Sequence, residues 1–300
     1  MYLPAISIGY AVPDGNFAAS VHSAFRSALN LRLNRENNLL TLIASSEGDL
    51  PQGIRLDVPD GFSFEGFQTG EPAVCKDSIL HFEKSSLTVQ LSGARCWKCD
   101  LPALKFDPAN PAVSAAWSFV WEVLNKQQRL SGAEIIAEKL FHASARAGVP
   151  HKAGEAMRDL VDATRRYDLD RSAVKALIGL GSGLTPSGDD LLVGYLTGLW
   201  CTGQDKNEGM QFVASLGETI IDLSSKTNDI SRTYLYHAAQ GQVSSRLANL
   251  AEGIRRGENP GHLSEIAEAA MSVGHTSGMD AVTGLLIGLA AWNDPGTFYF

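Results

Sequence analysis

The chain has 300 residues, 44% of them apolar and 19% charged, which is enough for one large domain or two ordinary ones with a sizeable core. Its formal net charge of −8 argues against nucleic acid or an anionic membrane as bulk partners, because both select basic surfaces. The most apolar runs, Leu191–Cys201 and Ala281–Trp292, have the length of buried core helices rather than bilayer spans, so no membrane association is expected.

The start of the chain, Met1–Gly15, lacks the basic segment and apolar run of a secretory signal, and a cytoplasmic location is the expectation. Residues 1–108 then carry short apolar runs, Leu39–Ala44, Ile54–Val58 and Leu87–Leu91. Each is bounded by turn formers such as Glu47-Gly48-Asp49, Pro59-Asp60-Gly61 and Ser92-Gly93, which predicts strands. Phe17–Leu33 fits either a helix or a strand pair. Cys96-Trp97-Lys98-Cys99 is a C-x-x-C, but a structural zinc needs four ligands, and only Cys75 and His81 are at hand. A redox reading needs a helix beginning at the first cysteine, where Asp100-Leu101-Pro102 follows instead. Neither a metal nor a disulfide framework is expected.

Asp107-Pro108-Ala109-Asn110-Pro111 interrupts any regular element and sets the predicted boundary. Helical spacing follows it over Ala112–Leu130, Gly132–Ala147, Gly154–Tyr167, Ser172–Ile178, Asp190–Cys201, Gln211–Leu223, Ser231–Gln240, Val243–Arg255, Leu263–Val273 and Asp280–Trp292. A break is expected at Gly148-Val149-Pro150. Arg165-Arg166, near Arg158 and Arg171, reads as a solvated helix face. The expected class is α+β: a β-rich N-terminal module, 1–108, followed by a mainly α-helical domain, 109–300, without the strand–helix alternation of a doubly wound sheet.

Within the helical half one pattern occurs twice. Ser187-Gly188-Asp189-Asp190 with Gly194 and Gly198 matches Ser277-Gly278-Met279-Asp280 with Gly284 and Gly288, and a threonine stands just upstream of each, Thr185 and Thr276. The serine and the acid three residues later predict a capping box, with Asp190 and Asp280 in that duty. The glycines, each costing ~1 kcal/mol in a helix interior, predict a close backbone crossing, either between these helices or across a homodimer. Two capped helices crossing at glycine grooves would account for the repeat without any chemistry.

The first copy carries more. Residues 179–190 form a glycine-rich loop running into a helix, which turns several backbone N–H groups toward one point and suits phosphate, carboxylate or an amide-acid. It is no Walker A loop, since no lysine follows the glycines. Gly181, Gly183, Thr185, Ser187, Gly188, Thr276, Ser277 and Asp280 are therefore candidate binding residues. Asp189, without a counterpart at Met279, is the leading candidate for general base, amide acceptor or magnesium ligand. Asp190 and His275, the latter beside the second copy of the motif, are the other catalytic candidates, a structural histidine being the plainer reading of the latter. Thr227-Asn228-Asp229-Ile230-Ser231-Arg232 reads as a helix start capped by Asp229 or Ser231. Asn228 and Ser231 are further binding candidates, and Arg232 is a fork-shaped donor for an anion. No cofactor is expected, with magnesium as the one alternative.

The string Gly183-Leu184-Thr185-Pro186-Ser187-Gly188-Asp189-Asp190, with Thr227–Ser231 and Gly274–Asp280, resembles a bacterial family that includes the AllH-type subunit of oxamate carbamoyltransferase. The resemblance implies a link to allantoin degradation, in which phosphate cleaves oxalurate to oxamate and carbamoyl phosphate with other subunits taking part. The implied mechanism is phosphate attack on the ureido carbonyl. Amides of Gly181–Gly188 would stabilise the oxyanion. Thr185, Ser187, Asn228 and Ser231 would orient the substrate, and Asp189 would manage an amide proton. The partners so implied are a small anionic substrate and the other subunits of a hetero-complex. Two alternatives stand beside this reading: a non-catalytic small-anion-binding or assembly subunit, and an ATP- or magnesium-phosphate-binding protein using Asp189, Asp190 and Asp280.

Overall fold

The computed structural model describes residues 1–34, 39–102, 110–131, 149–203 and 207–293, with backbone alone for 149–151. Residues 1–99 and 100–300 form two compact units.

The first unit is a closed sheet. Its strands are β1 (Tyr2–Gly9), β2 (Phe17–Ala24), β3 (Ala28–Leu33), β4 (Leu39–Ala44), β5 (Gly53–Leu56), β6 (Pro72–Lys76), β7 (Ile79–Phe82), β8 (Leu87–Gln90) and β9 (Arg95–Trp97). They run in the order β5-β4-β3-β2-β6-β7-β8-β1-β9, and β5 also pairs with β1, which closes the barrel. Most pairs are antiparallel; β4–β5, β1–β8 and β1–β9 are parallel. Phe17–Leu33 resolves as the antiparallel β2–β3 pair, because burying one face of each strand outweighs a fortuitous helical spacing. Alternation in β6 and β7 sends Ala73, Cys75, Leu80 and Phe82 inward to join Leu29, Leu31, Leu42, Ile54, Leu56 and Val89. The two-residue turn joining β6 to β7 places Asp77 and Ser78 at φ 51° and 61°, the hairpin turn that matches strand twist. One buried acid is neutralised in this unit: Asp49 receives Arg55 Nε and Arg95 Nη2, each at 2.9 Å, and the Ser7 hydroxyl.

The second unit is helical: α1 (Pro111–Ser131), α2 (Val149–Arg166), α3 (Arg171–Leu177), α4 (Ser187–Thr202), α5 (Asn207–Leu223), a 3-10 turn (Ser224–Lys226), α6 (Asp229–Ala238), α7 (Ser245–Arg256), α8 (Pro260–Met271) and α9 (Ser277–Ala290). The architecture is therefore α+β, with strands first and helices after. The segment expected as a helix over Gly132–Ala147 lies outside the described residues, as does the boundary stretch 103–109. The break expected at Gly148-Val149-Pro150 falls partly there too; from Val149 onward the chain is already α2, because a proline in the first helical turn lacks only an N–H that has no intrahelical partner.

At the centre lie α4 and α9, both almost wholly buried. A Cβ on Gly194 would stand 1.8 Å from the Ala281 carbonyl oxygen, and one on Gly284 2.0 Å from that of Leu191. Further along, Gly198 lies against Leu289 and Gly288 against Tyr195. Partners rise together in number, so the helices run parallel and both N-termini sit at one end. The glycine stripes are thus spent on each other within one chain and supply no dimer surface. Some polar groups on this core are satisfied: Trp117 donates to the Leu286 carbonyl at 2.9 Å, and the Tyr195 and Thr164 hydroxyls lie 2.6 Å apart.

Candidate functional site

Parallel packing of α4 and α9 brings the two copies of the repeat side by side, joined at the mouth by the Thr185 and Ser277 hydroxyls, 2.5 Å apart. Neither helix opens with the predicted capping box. Pro186 and Thr276 occupy the cap positions, and neither makes a side-chain cap hydrogen bond. The repeat begins one residue inside each helix, so the hydroxyl of Ser187 or Ser277 has no orphan amide two or three residues ahead to serve from a cap position, and the acids turn inward instead.

The loop from Gly179 to Pro186 is built on left-handed glycines. Gly181, at φ +115°, would bring a Cβ to 2.8 Å from Ser187 N, so only glycine lets the loop fold back on the first turn of α4. Part of the expected anion cradle is already committed. The Gly188 amide donates to the Leu180 carbonyl at 2.8 Å and the Gly179 amide to Asp189 Oδ1 at 2.8 Å. Among the described residues the amides of Gly181, Gly183 and Thr185 have no such backbone partner. Residues 182–184 are exposed, Leu184 at 56%.

Asp189 has a different position from the one its lack of a counterpart suggested. It is 1% exposed, holds the Gly179 amide on Oδ1 and receives the Thr227 hydroxyl on Oδ2 at 2.5 Å. Burial raises its pKa, and the Thr227 and Gly179 hydrogen bonds oppose that rise. Ser231 adds a weaker pull on the same carboxylate, though its buried hydroxyl reaches no hydrogen-bond geometry. This carboxylate ties the glycine loop to the start of α6. Asp189→Asn must leave either the Gly179 amide or the Thr227 hydroxyl facing an N–H₂ group. It is expected to lower stability by roughly 1–3 kcal/mol in chemical denaturation, with proteolysis of the 179–186 loop accelerated.

Asp190 and Asp280 carry the unusual electrostatics. They are 9% and 1% exposed and act on each other from the first turns of adjacent helices. Burial and then the charge of Asp280 push the Asp190 carboxyl well above the usual carboxylate range; the Ser277 and Thr185 hydroxyls act in the opposite direction. Its Oδ2 is buried without a hydrogen-bond partner among the described residues. Two buried like charges that act on each other favour the protonated form of Asp190, which suits the pair to share a proton. The two helix N-termini add partial positive charge that favours the remaining negative one.

The other sequence candidates divide around this pair. Ser187 and Gly188 are buried in the first turn of α4; a Cβ on Gly188 would meet the Leu177 carbonyl oxygen at 2.0 Å, which marks close helix packing. Thr276 and Ser277 are half-buried at the mouth, and His275 is exposed beside them. Asn228, rather than Asp229 or Ser231, caps α6: its Oδ1 accepts from Ile230 N and Ser231 N at 3.0 and 3.1 Å, which spends that oxygen. Arg232 pairs with Asp229 at 3.1 Å. Among the described residues no three His, Cys, Asp or Glu side chains converge to hold a metal. Cys96 is exposed and Cys99 buried, and neither is in a disulfide among the described residues.

Two residues were given no role by the sequence reading, Thr227 being named only within the polar stretch 227–232. Thr227, the grip on Asp189, is remote in sequence from the loop it holds and leaves no local spacing to detect. His237, on α6, is 4% exposed, and burial pushes its pKa down to about 4; nothing in the sequence distinguishes it from a surface histidine.

The comparisons bear on both units. Residues 177–289 match the family model described as oxamate carbamoyltransferase subunit AllH, a span that takes in both helix mouths and Thr227–Ser231. Residues 4–96 match the model of the AllH family N-terminal domain, which covers nearly all of the closed sheet. No solved structure matches the chain. No helix among the described residues is long and apolar enough to cross a membrane. With both halves matched in order, the chain belongs to the AllH family, named for a subunit of oxamate carbamoyltransferase.

Proposed function

We propose that this chain works with other subunits in the cleavage of oxalurate by phosphate to oxamate and carbamoyl phosphate, and that it binds the substrate at the joined mouths of α4 and α9. The observation that carries this reading is the apposition of Asp190 and Asp280 at two parallel helix N-termini, beside the Thr185–Ser277 hydroxyl pair. A phosphate oxygen forms a bond to the ureido carbonyl carbon, and the bond from that carbon to the oxamate nitrogen breaks. The nitrogen leaves with a proton from the Asp190–Asp280 pair, and the proton lost by phosphate restores the pair. Amides of Gly181, Gly183 and Thr185 face the developing negative oxygen or the substrate carboxylate, with the mouth hydroxyls orienting it. Proton transfer thus belongs to Asp190 and Asp280, because Asp189 already has both oxygens engaged.

A thermal-shift series with oxalurate, oxamate, phosphate and carbamoyl phosphate tests the site. A ligand at 100 times its Kd adds about 2.7 kcal/mol to stability. A rise in Tm with oxalurate or oxamate that Asp190→Asn or Asp280→Asn alters is the expected result. No shift with any of the four, in the chain alone or with its partner subunits, would reject the site. Binding that persists while both variants keep full turnover in the reconstituted complex would make this a non-catalytic binding subunit.

A further inference from the structure

We propose that Asp190 and Asp280 read the carbamoyl end of the ligand, donating one hydrogen bond to its carbonyl oxygen and accepting one from its NH₂, while the ligand's carboxylate lies toward the glycine loop. The inference rests on the α4–α9 mouth being the substrate site, and it fixes which way round the substrate sits.

A buried acid pair is a poor place for an anion. The charges that act on Asp190 come from Asp280 and Asp189, both acids, and its other close partners are the Ser277 and Thr185 hydroxyls. A ligand carboxylate placed against the pair would be a third negative group in a desolvated space, a cost that no cation acting on Asp190 offsets. A proton-sharing pair instead presents one O–H donor and several acceptor lone pairs. A primary carboxamide or ureido group presents the complement, a carbonyl acceptor and an N–H₂ donor on one planar edge. Asp190 Oδ2, buried and without a partner among the described residues, is the atom whose hydrogen bond such an edge would complete. The carboxylate end has its own partners at the other side of the mouth. The amides of Gly181, Gly183 and Thr185 lie outside the loop's backbone bonding, and the N-terminus of α4 begins two residues on from Thr185. A pair of acids and a nest of amides thus divide a molecule that is neutral at one end and charged at the other.

Oxamate and oxalate test this on the full chain by calorimetry at neutral pH, because they differ only in an NH₂ replaced by a charged oxygen. Oxamate is expected to bind at least about tenfold more tightly, the discrimination of a site built to hydrogen-bond one group. The Asp190→Asn/Asp280→Asn double variant, relieved of charge, should bind oxalate more tightly and lose that ratio. Oxalate binding as well as oxamate in the unaltered protein would overturn the orientation while leaving the site standing. A ratio that survives in the double variant would overturn it equally. If neither acid binds to the chain or to its complex, the site reading falls as well. A measurement independent of variants is the infrared carbonyl band of a protonated aspartate, identified by isotope-labelled aspartate. It should shift when oxamate binds, and an unmoved band would reject the proposal.

Discussion

Gly194→Ala and Gly284→Ala are each expected to destabilise the helical unit by at least about 3 kcal/mol, as read from chemical denaturation. Helix propensity alone predicts the opposite sign, since alanine gains ~1 kcal/mol over glycine in a helix interior. The crossing reverses it. A Cβ at Gly194 would lie 1.8 Å from the Ala281 carbonyl oxygen and 2.7 Å from Leu285 N, so the obstacle is backbone and cannot rotate away. The two helices must separate, which opens the packing of Leu191, Tyr195, Leu285 and Leu289, all fully buried. Gly183→Ala is the control. It meets nothing within 4 Å but sits at φ +96°, so its cost is the backbone strain of about 1–2 kcal/mol and no more. Equal losses at Gly183 and Gly194 would show that loop strain, not the crossing, sets stability.

The second large effect is on turnover. Asp190→Asn and Asp280→Asn in the reconstituted complex should each lower kcat about 100-fold to 10,000-fold, the range for losing a positioned proton donor. KM should move less, because the amide keeps much of the hydrogen-bonding shape. The same substitution has a signature in stability against pH. The native Asp190 carboxyl holds its proton well above the ordinary 3.8, so the folded state binds that proton more tightly than the unfolded one. Its contribution is complete below the unfolded value and is lost as pH rises through the raised native one. Asp190→Asn removes that loss, so the variant should gain on the parent protein as pH rises. A parallel pair of curves would refute the raised carboxyl.

The strands and helices were largely legible because period and punctuation carry them: β4 runs Leu39–Ala44 as its apolar stretch indicates, and α1 spans Pro111–Ser131 around the expected core. Helix starts at α4, α5, α8 and α9 lie several residues earlier than apolar spacing places them, since the first turn of each is polar or glycine-containing and shows no periodicity. The paired helix mouths were legible as a pattern, whereas the capping box predicted for them does not form. Ser187 and Asp190 have the spacing of a capping box, but spacing cannot tell a helix beginning at the serine from one beginning just after it. That one-residue difference turns Asp190 from the cap toward Asp280. Asp189 looked chemically special through its lack of a counterpart, yet its partners, Gly179 and Thr227, are brought to it only by tertiary folding.

The closure of the N-terminal sheet sets an order of events. β1 is synthesised first, yet its three partners are β5, β8 and β9, through pairs such as Ile8 with Ile54, Leu3 with Val89 and Ile8 with Cys96. The hairpins β2–β3, β3–β4, β6–β7 and β7–β8 can form as they emerge, whereas the first strand has no partner until β5 emerges, and its other edge stays open until β8 and β9, ending at Trp97, have left the ribosome. At the rate of about 5–20 residues per second that interval lasts several seconds. A chaperone that binds extended apolar segments would find Tyr2–Gly9 available during that time, and lengthening a loop between β5 and β9 would prolong the wait at the seam.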